Sequence, residues 1–87
     1  MAHFLVERYL PHADETVLDE ETARLRACAG EEAHLILTLY LPEDESCLHV
    51  FEASSISVVE HLGEASDLVF DHVAAAVTAG DGAEPEA

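Results

Sequence analysis

Eighty-seven residues, 49% of them apolar, make one small globular domain with little room for a deep private pocket. Nineteen acidic residues stand against three basic ones, Arg8, Arg24 and Arg26, and the net charge is −16 with no lysine at all. That balance repels phosphate and argues against nucleic acid and anionic membranes as partners, and without lysine there is no Schiff-base chemistry and no P-loop.

His3 to Leu10, HFLVERYL, alternates with period two and ends at Pro11, the pattern of a strand. PHADET supplies turn and cap residues, and from Asp14 or Thr16 the period becomes helical. Leu18, Thr22, Leu25 and Ala29 fall on one face, the acids Asp19, Glu20 and Glu21 lie early, and Arg24 and Arg26 lie late, as the helix dipole prefers. Gly30 is the stop signal. Ala33 to Leu41, AHLILTLYL, reads as a second strand with Leu35, Leu37, Leu39 and Leu41 on one face and His34, Ile36, Thr38 and Tyr40 on the other. PEDES is a short loop, and Cys47 to Ala53 returns beside the second strand as a hairpin. Ser55 caps a second helix whose apolar stripe is Val58, Val59, Leu62 and Ala65. After a break at Ser66–Asp67, Leu68 to Val77 reads as the last strand.

Strand, helix, strand, strand, helix, strand is the order of the split βαβ, ferredoxin-like α+β sandwich. It predicts a four-stranded antiparallel sheet with both helices on one face over residues 1–78, and residues 79–87 have the composition of a disordered acidic tail. The helix-free face needs a cover, and a second copy of the chain, forming a dimeric α/β barrel, is the expected one. Cys28 and Cys47 are too few for a disulfide framework and are expected as free thiols. Glu7 and Arg8 interrupt the only candidate signal-peptide core and no apolar run approaches ~20 residues, so a cytoplasmic protein is expected.

FLVERYLP near the start, LPEDESCLHVFEASS in the middle and LVFDHVAAAV at the end resemble the DUF4242 family of small actinobacterial proteins, some of which bind nickel. The resemblance covers residues 3 to 77. It implies a dimeric ferredoxin-like domain and a nickel ion, or another divalent transition metal, as ligand. Two features set this chain apart: His49 stands where relatives often carry an aromatic residue, and the basic residues usual in the second helix are missing.

Alternation groups Cys47, His49 and Phe51 on one side of the third strand and Leu48, Val50 and Glu52 on the other; on the first strand Leu5, Glu7 and Tyr9 oppose Phe4, Val6 and Arg8. Matching the all-apolar pairs Phe4/Val6 and Leu48/Val50 to the helices puts Glu7, Tyr9, Cys47, His49 and Phe51 together on the open face. Three readings of that cluster follow. Glu7, His49 and Cys47 offer oxygen, nitrogen and sulfur to a metal. Alternatively, Leu5, Tyr9 and Phe51 line a small apolar ligand in a barrel of the monooxygenase, isomerase or cyclase kind, with Glu7 or His49 as general base. In the third, Glu7 and His49 bond each other across neighbouring strands and the face is a purely structural or regulatory dimer interface. A cysteine nucleophile is disfavoured, since an acidic field raises a thiol pKa.

Overall fold

The computed structural model describes residues 1–79. Its elements are β1 (Ala2–Tyr9), α1 (Glu15–Ala29), β2 (Ala33–Leu41), β3 (Ser46–Ala53), α2 (Ile56–Ser66) and β4 (His72–Ala76). The strands form one antiparallel sheet in the order β2-β3-β1-β4, the ferredoxin-like arrangement. Of the tail expected at 79–87, all but Ala79 lies outside the described residues.

Local chemistry sets the helix ends. The Asp14 carboxylate accepts from the Val17 N–H at 2.9 Å and starts α1, and Gly30, at φ 63°, ends it in a conformation that side chains with a Cβ rarely adopt. Ser55 caps α2 through the Val58 N–H at 3.4 Å. Asp67, left-handed at φ 61°, closes its far end, with the Asp67 N–H donating to Glu64 O and the Leu68 N–H to Gly63 O.

Phe4, Val6, Phe51 and Ala53 project from the sheet toward the helices and meet Leu25, Val59 and Leu62, all buried. The last strand is shorter than its sequence suggests. Leu68–Phe70 is a connecting segment rather than strand, because the Asp67 cap turns the chain and Phe70 then packs flat over Gly63.

β2 carries the more consequential departure. The register runs Leu35↔Phe51 and then Leu37↔Val50, so Ile36 is an extra residue, a β-bulge. One inserted residue reverses the parity of everything after it. Ala33 and Leu35 therefore face the helices, whereas Leu37, Leu39 and Leu41 face away from them, and Thr38 and Tyr40 are turned inward.

The helix-free face is consequently rich in leucine. Leu37, Leu39 and Leu41 are 48%, 48% and 41% exposed. Leu5, Leu48 and Val50, half-buried, share that face with them.

Candidate functional site

Strand parity, the premise of the predicted site, is reversed on β3. Val6 pairs with His49, Arg8 with Cys47 and Phe4 with Phe51, and residues paired across strands share a face. Cys47, His49 and Phe51 thus lie beneath the helices with Phe4, Val6 and Arg8. Glu7 sits opposite Leu48 on the other side of the sheet. The expected Glu7–His49–Cys47 set does not assemble, and neither does the Leu5–Tyr9–Phe51 lining: Leu5 and Tyr9 are on the open face, while Phe51 is fully buried in the core. The reason is that the helices supply polar partners of their own, so the face they cover is not purely apolar.

The residue that replaces Glu7 is Glu21, on the inner side of α1 and 6% exposed. Its carboxylate is gripped from two directions. From β1, Arg8 donates through Nε to Oε2 at 2.8 Å and through Nη2 to Oε1 at 2.9 Å, while its Nη1 donates to the Val69 carbonyl at 2.9 Å. From β3, His49 Nε2 lies 2.7 Å from Oε2. A carboxylate only accepts, so Nε2 carries the proton. The other ring nitrogen, Nδ1, is 2.8 Å from Thr38 Oγ1, the hydroxyl that the β2 bulge has turned inward. Cys47 Sγ completes the cluster, 3.5 Å from His49 Nε2.

His49 and Cys47 are both at 0% exposure, and every hydrogen-bonding nitrogen of the imidazole has a partner. Burial pushes the Glu21 carboxyl up, but hydrogen bonds from His49 and Arg8, with the Arg8 charge, outweigh it and hold the group below its ordinary value of 4.5. Burial drives the Cys47 thiol the other way, and the Glu21 charge adds to it. The thiol stands at about 11, and the nearby Arg8 only partly offsets this. A protonated, water-shielded thiol is a poor nucleophile, in keeping with the sequence reading.

Chemically, the cluster offers three donors. A carboxylate oxygen, Cys47 Sγ and a ring nitrogen of His49 all lie within 4.8 Å of one another. A cleft of about 200 Å³, lined in part by Arg8, Glu20, Glu21 and Arg24, reaches the carboxylate from outside.

Glu21 was available to sequence reasoning: it stands three residues after Leu18 and four before Leu25, a carboxylate on the inner stripe of an amphipathic helix. Arg8, the cation on β1, pairs with the Glu21 carboxylate. Both cysteines are free, Cys28 exposed and Cys47 buried. Among the described residues no helix is long and apolar enough to cross a membrane.

No family model matches the chain, and no curated protein matches it. It is similar in structure to the Streptomyces coelicolor A3(2) protein SCO4226, with a TM-score of 0.78 at 18% identity, over 91% of this chain and 100% of that one. That likeness establishes the ferredoxin-like fold.

Proposed function

We propose that this chain is a cytoplasmic homodimer that binds a divalent transition metal, nickel or zinc in kind, through Glu21, Cys47 and His49 of each subunit. The observation that carries the reading is the convergence of oxygen, sulfur and nitrogen donors from α1 and β3 within 4.8 Å. Imidazole with thiolate suits such ions, and the resemblance to the DUF4242 family points the same way. Loading requires the Cys47 thiol proton to leave, while the His49 proton moves from Nε2 to Nδ1, where the Thr38 hydroxyl oxygen can accept it, so uptake rises with pH. It also requires the 2.7 Å His49–Glu21 contact to open to roughly 3.3 Å, the spacing of two ligands on one tetrahedral ion. The homodimer is supported by the leucine-rich open face, since a contiguous apolar patch on a small domain signals a covering partner. The free thiols support a reducing compartment.

A second reading is favoured by one specific observation, the two-pronged hold of Arg8 on Glu21. A guanidinium already neutralises the carboxylate, so the cluster also serves as a metal-free polar lock that fixes α1 against the sheet in a dimerisation domain.

Calorimetric titration of nickel and zinc into tag-free, metal-stripped protein separates the two. The metal reading expects one tight ion per chain, abolished by Cys47→Ser and retained in His12→Asn/His61→Gln, which removes two exposed imidazoles. Weak uptake that Cys47→Ser leaves unchanged would assign the cluster to the lock.

A further inference from the structure

The open face is not uniformly apolar, and its polar residues are arranged in pairs. Across the sheet, His34 of β2 stands opposite Glu52 of β3, which in turn stands opposite His3 of β1. Two rows along, Glu7 of β1 stands opposite His72 of β4. Each of the two carboxylates on this face therefore has an imidazole as its cross-strand neighbour in the register, the relation in which opposite charges can pair. Between the two polar rows runs the apolar row Leu37, Val50, Leu5 and Ala74.

We infer that a second copy docks on this face with uptake of protons, so that dimerisation is controlled by pH. The inference rests on the sheet-to-sheet dimer proposed above. Without protons on the histidines, stacking two copies buries four carboxylates that have no counter-charge, in a chain that already repels its twin. Histidine is the side chain that gains its charge between pH 8 and pH 6. Protonated His3, His34 and His72 convert both polar rows into ion pairs. The other titratable groups beside the face are already engaged: the Tyr9 hydroxyl donates to Glu45 at 3.0 Å, and the Asp71 carboxylate accepts the Tyr9 N–H at 2.7 Å. No helix packs on this side among the described residues.

The test is sedimentation equilibrium of the full chain from pH 6 to pH 8.5 at fixed salt, with a chelator present. A net uptake of one proton per dimer tightens association about tenfold for each unit fall in pH. His3→Gln/His34→Gln/His72→Gln is expected to flatten that dependence, whereas His61→Gln, which changes overall charge on α2, off the face, is expected to leave most of it. A dimer whose affinity does not vary with pH, or an equal loss in both variants, overturns proton control while sparing the dimer. A monomer at every pH overturns both.

Discussion

Replacing Glu21 by alanine is the sharpest test of the buried cluster. The substitution leaves the Arg8 guanidinium, whose side chain is only 11% exposed, without its two-pronged partner. It also leaves the His49 Nε2–H, at 0% exposure, without an acceptor. An uncompensated buried charge costs about 3–5 kcal/mol. An unsatisfied buried donor costs about 1–3 kcal/mol. The two do not simply add, because both arise from the loss of one carboxylate, and Arg8 keeps its bond to the Val69 carbonyl. A net loss of about 3–5 kcal/mol is expected, against a total of about 4–12 kcal/mol for a domain of this size. Urea unfolding followed by far-UV circular dichroism should show the midpoint falling by at least about a quarter.

A compensating variant separates the network from mere packing. Arg8→Met/Glu21→Leu/His49→Phe replaces the guanidinium, carboxylate and imidazole at similar volume and is expected to recover most of that stability, since well-packed apolar side chains commonly equal or exceed a buried ion pair. The pH dependence has a definite sign. Glu21 is held below its ordinary value of 4.5 in the fold, so the unfolded chain takes up the proton first. Its contribution is complete above pH 4.5 and is lost as pH falls through the folded value, so the gap between wild type and Glu21→Ala should narrow in acid. A Glu21→Ala loss below about 1 kcal/mol, or a gap that is constant with pH, would refute the network account.

Leu39→Asp places a carboxylate at the centre of the leucine-rich face, and in a two-fold dimer it does so twice. Dimer affinity should drop at least ~100-fold by sedimentation while the circular dichroism spectrum is kept, because Leu39 is already 48% exposed in the protomer. Thiol titration at pH 8 should find one fast group, Cys28, and one that reacts only on unfolding, Cys47. Burial, reinforced by Glu21, raises Cys47 to about 11, so folding favours its protonated form fully below pH 9 and progressively less as pH rises through the folded value. Gly63→Ala would bring a Cβ to 2.9 Å from the Phe70 ring, well inside ordinary contact. Overpacking of about 1–3 kcal/mol should exceed the ~1 kcal/mol that alanine gains over glycine within a helix, giving a small net loss by urea melt.

Element order, the β1–β3 adjacency and the hairpin of β2 and β3 were legible because each rests on local pattern: alternation, capping residues and loop length. The side chains' facing was not, and the reason lies in two particular residues. Choosing which side of β3 meets the helices came down to comparing Leu48/Val50 with Cys47/His49/Phe51, and the apolar pair looked the better core. That comparison holds only if the helices bring nothing polar. Glu21 does, and once a carboxylate descends from α1, burying His49 is no longer a penalty but a way to satisfy it. Ile36 then hides the check that would have exposed the choice. Without a bulge, Leu35 through Leu41 all lie on one side and a fully apolar inner strand looks natural. With it, the second half of β2 turns its leucines outward and Thr38 inward, which supplies His49 Nδ1 with its partner. The polar cluster and the apolar outer face therefore both depend on Ile36 standing outside the ladder instead of taking a place in the pleat. Deleting Ile36 should therefore spare both: it removes the unpaired residue and leaves Leu37 opposite Val50 and Thr38 opposite His49 in an unbroken ladder, so a variant that lost the His49–Thr38 contact or the outward leucines would refute this account.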